Sequence, residues 1–389
     1  MKTIENLPNP LSSNIKVRFL RDDEKSIMSD EKELPLVIEP VKERSFPVLS
    51  KLVRENSDWF NQQRDTYGAI LFRGFEVESG VQFQSILELL KVELEKYYHF
   101  GSAQRLRITD KVFTSSEAPP NLIVMPHNEL NMVPIRPSVL AFFCQTKPDL
   151  YGETPILNTE KVFNDLFPSF QYKIANLAQK YVRFVPKSLL GMVFEKQSRE
   201  EITKLLQNGG FYFDWKDDGS LYFECSYIPV FSHPRTGRLC FGISICDCLV
   251  SREWYRSILP RYRLMKRIYY NFMPYKLYQM LEQIRTEKAT VVDDSTSQYS
   301  KLNTFFVGEE GNCLKLTEAE AKELGKAEWR NAAVFPWEKG DLLVIDNLQV
   351  AHSRLNTRLP RKILTAFGNM CDIRSMNPAC CQVTNMELS

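Results

Sequence analysis

His127 and Glu129 stand two apart in MPHNELNM, and on an extended backbone that spacing turns both side chains to one face of a strand. One imidazole and one carboxylate can then reach the same metal ion. His352, in DNLQVAHSR, offers a second imidazole from a distant segment. Two imidazoles and one carboxylate on a single face suit iron(II) and leave the opposite face open to other ligands. The chain has only four histidines, so few rival sets exist. His99, at the end of a helical run in KYYHFGSA, and His233, before a proline in a turn, take structural roles. The Asp217-Asp218-Gly219 sequence is a hairpin turn that needs no cation.

The elements that must position these ligands can be read from periodicity. Residues 46–66 place Phe46, Leu49, Leu52, Val53, Trp59 and Phe60 at near-helical spacing, and the run breaks at Gly68 into the short apolar strand AILFRGF. Residues 80–98 are helical by period, whereas 111–145 alternate proline-marked turns with β-type runs such as SVLAFFC. His127 therefore belongs to a strand or a turn. The region 158–208 has helical spacing, and the stretch from Gly209 to Ile245 reads as strands joined by Asp-Gly and Pro-Arg-Thr-Gly turns. A further helical stretch covers 251–286, its basic residues at 251–268 forming a solvated face, and Thr317 with Glu320 makes a capping box for a helix ending near Trp329. The runs AAVFPW, DLLVIDN and KILTAFGNM close the chain as strands, with His352 in the connection before the third.

Strands first, helices inserted and strands last indicate an α+β protein. Its expected core is a double-stranded β-helix, a cupin-like jelly roll, with helical insertions and a helical cover. Residues 1–45 read as an N-terminal arm or edge strands, 46–375 as the jelly-roll domain with a helical and hairpin insertion at about 158–330, and 376–389 as a tail.

Composition narrows the partners. Lysine plus arginine (50) nearly balance aspartate plus glutamate (48), so no extended field of one sign gathers nucleic acid or an anionic membrane. A small molecule or another protein is the expected partner. No signal-peptide core or membrane-length apolar run is present, which implies a cytoplasmic location. The nine cysteines, including the Cys246/Cys248 and Cys380/Cys381 pairs, lack zinc-ribbon spacing and read as reduced, mostly buried thiols.

Five segments, GAILFRGF, VFTSSEAPPNLIVMPHNEL, FFCQTKPDLYGETPILNTEKVF, WKDDGSLYFECSYIPVFSHPRTG and FPWEKGDLLVIDNLQVAHSRLNTRLPRKIL, together resemble the TauD/TfdA-like family of oxygenases, most closely its SyrP-like branch. The resemblance runs from about Gly68 to Met370. It implies Fe(II) held by His127, Glu129 and His352, 2-oxoglutarate as cosubstrate, and dioxygen as oxidant. It also implies release of succinate and carbon dioxide, with hydroxylation as the default outcome on a small-molecule substrate, free or carrier-protein-bound. Thr154 matches the threonine of a Gly-Gly-x-Thr-Pro segment that helps hold 2-oxoglutarate, although Tyr151 stands where that segment has its first glycine. Arg361 fits the arginine that forks the far carboxylate of 2-oxoglutarate. Arg354 and Arg358 compete for that role, since Ser353 and Asn356-Thr357 depart from the family pattern. Glu129 keeps the carboxylate that halogenating relatives lack. Desaturation, epimerisation and ring formation use the same residues. Of two other readings, a non-catalytic jelly roll that binds metal and ligand without turnover is disfavoured by the intact set His127, Glu129, Thr154, His352 and Arg361, and a zinc hydrolase leaves Thr154 and Arg361 without a purpose.

Overall fold

The computed structural model describes residues 14–97, 99–100, 105–115, 119–195, 197–242, 248–278, 280–281, 301–308, 311, 313–314 and 316–376. Its centre is a seven-stranded sheet in the order Ile15–Phe19, Leu36–Pro40, Ala69–Phe72, Leu342–Asp346, Ile135–Thr146, Lys362–Asp372, Phe113–Thr114. A four-stranded sheet, Ala332–Ala333, Ile156–Asn158, Val350–Arg354 and Val124–His127, carries the histidines. Strand alternation divides the large sheet between two cores. Leu71, Leu140, Phe142 and Ile345 join Ile156, Ala333 and Val350 of the small sheet in one cluster, so these two sheets face each other. Ile70, Phe72, Phe143 and Val344 point the other way, onto Leu49, Phe60, Phe83 and Ile86 of the helices.

The N-terminal segment supplies two of the seven strands. Ile15–Phe19 forms the sheet edge, but Leu36–Pro40 lies one place in, parallel to Ala69–Phe72, with Leu36, Val37 and Ile38 fully buried. It is a core strand. The helical run expected over 46–66 is two helices, Phe46–Glu55 and Ser57–Tyr67. At Asn56 the backbone leaves helical geometry and the side-chain amide donates to the Leu52 carbonyl (2.9 Å), a local bond that competes with the helix. The helix expected over 80–98 stops at Leu89. Lys91 takes a left-handed φ of 60°, which turns Val92 and Leu94 back into the core, where Leu94 bridges Gly368.

Residues 179–314 contribute a five-stranded antiparallel sheet, Tyr212–Trp215, Leu221–Tyr227, Gln179–Val185, Lys301–Val307 and Cys313–Leu314. The Asp217-Asp218-Gly219 turn joins its first two strands: Gly219 has φ 81°, and Asp218 accepts hydrogen bonds from the backbone and hydroxyl of Ser220. Cys144, Cys225 and Cys240 are buried free thiols and Cys371 is half-buried, while Cys246, Cys380 and Cys381 lie outside the described residues.

Thr317 and Glu320 close a reciprocal capping box at the start of the helix Glu318–Arg330. Near its end Glu328 is buried against Trp254 of the helix Cys248–Ser257, whose Nε1 donates to it at 2.7 Å. Burial pushes this carboxyl up to about 8, the indole bond opposing only in part. The folded protein therefore holds a proton here that the unfolded chain releases near its ordinary value of 4.5. The stabilisation is complete below that value and is lost as pH rises through about 8. Glu328→Gln should accordingly gain thermal stability relative to wild type as the buffer moves from about pH 5 to about pH 8, read by melting curves across that range.

Candidate metal and cosubstrate site

His127 and His352 meet because their strands pair antiparallel with these two residues directly opposite one another. Their rings lie 4.3 Å apart between centroids, and Phe142 of the large sheet closes over His352 at 5.1 Å. The strand of His127 ends at that residue, however, and Glu129 sits in the turn that follows. Strand alternation is therefore not what brings the carboxylate to the imidazoles. That task falls to Asn347, whose amide oxygen accepts from Glu129 N (2.7 Å) and whose amide nitrogen donates to the carbonyls of Glu129 (3.0 Å) and Pro137 (2.8 Å). Asn128 reinforces the clamp by donating to the carbonyls of Asn347 and Val350.

The result is a convergent set in which one ligand atom from each of His127, Glu129 and His352 lies within 4.8 Å of the others. His127 Nδ1 is 2.8 Å from the Met125 carbonyl, which assigns its proton to Nδ1 and leaves Nε2 as a bare donor. His352 Nε2 lies 3.7 Å from Glu129 Oε2. Burial, and after it the neighbouring His127, hold the His352 imidazole well below the usual histidine range, with Glu129 opposing. A neutral imidazole is the form that ligates metal. The donor set fits a divalent iron ion. Arg105 is a contact that sequence reasoning did not name: its guanidinium donates to Glu129 Oε2 at 2.9 Å from a loop 24 residues away.

Because Asn347 fixes the turn rather than the metal, Asn347→Ala should keep all three ligand residues but free Glu129 from its clamp, and weaken Fe(II) binding by about 10- to 100-fold. An anaerobic Fe(II) titration checks this.

Beside the histidines lies the segment with the expected cosubstrate residues. Its ladder continues the small sheet, with Ser353 N donating to Pro155 O (2.9 Å) and Leu355 N to Glu153 O (3.1 Å). Arg361 reaches across it, Nε donating to the Gly152 carbonyl (2.9 Å) and a terminal nitrogen to Thr154 Oγ1 (3.3 Å). Trp337 Nε1 donates to the same hydroxyl at 3.1 Å. Gly152 has φ 79°, and a side chain there would start 2.4 Å from Thr357 Oγ1, so glycine is required. Burial, and after it Arg354, lower the Arg361 guanidinium to about 10, still charged at neutral pH. Among the described residues Arg361 forms no ion pair.

The competing arginines are placed elsewhere. Arg354 donates to the carbonyls of Pro119 and Leu122 at 2.7 and 2.9 Å, and Arg358 is exposed on the short ribbon Thr357–Arg358 with Leu150–Tyr151. His233 is buried, with Nε2 2.9 Å from Asp346 and Nδ1 accepting from Arg235 N and Thr236 N, which ties the HPRTG turn to the strand Leu342–Asp346. His99 stacks on Tyr97, well past the end of its helix at Leu89, so no helix dipole acts on it. The basic stretch 251–268 is also less solvated than expected. Arg252 is buried against the carbonyls of Tyr270 and Met273, and Arg261 pairs with Glu153.

The match to the taurine catabolism dioxygenase TauD, TfdA family covers residues 31–241, more than half of the chain. A clavaminate synthase-like protein of Arabidopsis thaliana is 24% identical over 362 residues, covering 87% of this chain and 94% of its own. The dapdiamide synthesis protein DdaC of Enterobacter agglomerans is 24% identical over 294 residues, covering 74% of this chain and 78% of its own. Among solved structures, PvcB of Pseudomonas aeruginosa superimposes with a TM-score of 0.51 at 13% identity, covering 93% of this chain and 94% of that one. The family match, together with the convergence of His127, Glu129 and His352, defines an Fe(II)- and 2-oxoglutarate-dependent dioxygenase. The chain belongs to the TauD/TfdA family. No helix among the described residues is long and apolar enough to cross a membrane.

Proposed function

We propose that this enzyme hydroxylates an unactivated carbon of an amino-acid-like or natural-product small molecule. In this reading His127, Glu129 and His352 hold Fe(II), and Thr154 and Arg361 bind 2-oxoglutarate within a jelly-roll core formed by the two facing sheets. The observation that carries it is Arg361, a largely buried guanidinium without an acidic partner among the described residues, bonded to the segment Gly152–Thr154 that runs alongside the strand of His352, one of a cluster of two imidazoles and a carboxylate. A buried cation needs a counter-charge, and a planar fork matches a carboxylate. The far carboxylate of 2-oxoglutarate answers both needs.

When bound, iron with 2-oxoglutarate and dioxygen supplies an oxidant able to take hydrogen from carbon, with succinate and carbon dioxide as coproducts. The chain's own residues do the rest. Asn347 and Asn128 orient Glu129, the Met125 carbonyl fixes the His127 tautomer, and Phe142 covers the His352 ring. Trp337 and Arg361 both donate to Thr154 Oγ1, which directs that hydroxyl's own proton toward a third partner, a cosubstrate carboxylate. The relatives named for dapdiamide synthesis and as clavaminate synthase-like support a substrate from small-molecule biosynthesis.

The test is an anaerobic incubation of the protein with Fe(II), 2-oxoglutarate and a panel of free and carrier-bound amino-acid-like compounds, followed by dioxygen. Succinate release matched to a product heavier by one oxygen is the expected result. A panel member turned over to a product lighter by two hydrogens would replace hydroxylation by desaturation or cyclisation. Absence of 2-oxoglutarate binding to the Fe(II)-loaded protein would remove the reading altogether.

A further inference from the structure

Tyr151 has a backbone φ of 62° and Gly152 follows at 79°, so two consecutive residues lie in the left-handed region. Glycine adopts that region freely; a tyrosine does so only when its surroundings hold it there. Arg261 provides that hold. Its guanidinium carbon lies 4.7 Å from the centroid of the Tyr151 ring, and its two terminal nitrogens grip both oxygens of Glu153 at 2.9 and 2.6 Å. The pair is well shielded, with side-chain exposures of 11% and 4%. Arg261 thus holds the residues on either side of Gly152, the residue whose carbonyl accepts from Arg361 Nε.

The grip is built on a rigid support. Arg261 ends the short turn Leu259–Arg261, anchored by buried Leu259, and the adjoining rings of Tyr255 and Tyr270 stack at 4.5 Å with planes 3° apart. Arg252 pins the same block through the Tyr270 carbonyl. A second consequence concerns charge. Glu153 is the carboxylate whose field acts on Arg361, and a carboxylate released next to that guanidinium would compete with any carboxylate ligand.

We propose that Arg261 is a positioning residue for 2-oxoglutarate: it fixes Tyr151 in its left-handed conformation and sequesters Glu153, so that Arg361 and Thr154 stay available to the cosubstrate. The inference rests on the assignment of Thr154 and Arg361 to 2-oxoglutarate. It makes cosubstrate affinity depend on the docking of the helical segment 248–272, and by linkage makes cosubstrate binding strengthen that docking.

The experiment measures 2-oxoglutarate binding calorimetrically to the full chain loaded with Fe(II) and kept free of dioxygen. Arg261→Ala should weaken binding by about tenfold or more, as expected for loss of a charge-assisted contact that organises the site, while Fe(II) affinity and the kcat at saturating 2-oxoglutarate stay near wild type. Arg261→Ala combined with Glu153→Gln should recover most of the affinity, because the competing charge is gone. A purely architectural salt bridge would show no such rescue. Arg261→Lys, which keeps the charge and a single bond to Glu153 but loses the fork and the stack on Tyr151, should fall between wild type and alanine and serves as the folded control. Unchanged 2-oxoglutarate affinity in Arg261→Ala, with weakened affinity in Arg361→Ala, would overturn the proposal. Unchanged affinity in both variants would instead overturn the assignment of the cosubstrate site.

Discussion

His352→Ala is expected to abolish both Fe(II) binding and turnover while leaving the protein folded. His352 lies on the strand Val350–Arg354, flanked on one side by Val124–His127 and on the other by Ile156–Asn158. Alanine fits that backbone, and the ladder does not depend on the imidazole. What is lost is the facial set, since His127 and Glu129 alone cannot hold three coordination positions open on one side of the ion. The remaining carboxylate is further weakened as a ligand because Arg105 already donates to Glu129 Oε2. His127→Ala should behave in the same way, with the added loss of the Nδ1 bond to Met125. An Fe(II) titration and a succinate assay measure the effect, and an unchanged melting temperature separates it from misfolding. Full activity in either variant would remove the metal assignment.

The two histidines were legible in the sequence because imidazole is scarce in this chain, but only His127 was read in a strand or turn; His352, expected in a connection, lies on the strand Val350–Arg354. Glu129 was legible as a residue but not for the right reason. Alternation along a strand suggested it, yet the strand stops at His127 and the carboxylate is aimed by a turn that Asn347 clamps from 218 positions away. No local spacing encodes that contact. The same applies to Trp337, 183 positions from the Thr154 hydroxyl to which it donates, and to Arg261, 108 positions from Glu153. Strands with continuous apolar runs, such as Ala69–Phe72 and Leu342–Asp346, were readable because burial on both faces removes polar residues from them. The helix expected over 80–98 failed at Lys91, whose left-handed φ no periodicity announces. The buried strand Leu36–Pro40 was hidden by the charged, proline-marked sequence around it.

Arg361→Ala should raise the KM for 2-oxoglutarate by at least about tenfold, the loss expected when a desolvated carboxylate gives up a charge-assisted partner, and should leave Fe(II) affinity nearly intact. Three arginines follow His352 within nine positions, and sequence alone ranks them poorly. Geometry separates them. Arg354 is spent on the carbonyls of Pro119 and Leu122, so Arg354→Ala should loosen that loop and lower thermal stability without a selective effect on 2-oxoglutarate. Arg358 is exposed on a two-stranded ribbon, and its removal should be close to neutral. Arg361 alone of the three donates to Thr154 Oγ1 and to the Gly152 carbonyl, and burial already lowers its guanidinium to about 10. A bound dianion relieves that cost, so the gain from pairing is largest at this position. Arg361→Lys keeps the charge but loses the planar fork, and it should fall between wild type and alanine in KM with kcat little changed. The measurement is succinate formation against 2-oxoglutarate concentration for all four variants beside wild type. Should Arg354→Ala or Arg358→Ala show the selective rise in KM while Arg361→Ala saturates normally, the clamp has been assigned to the wrong arginine.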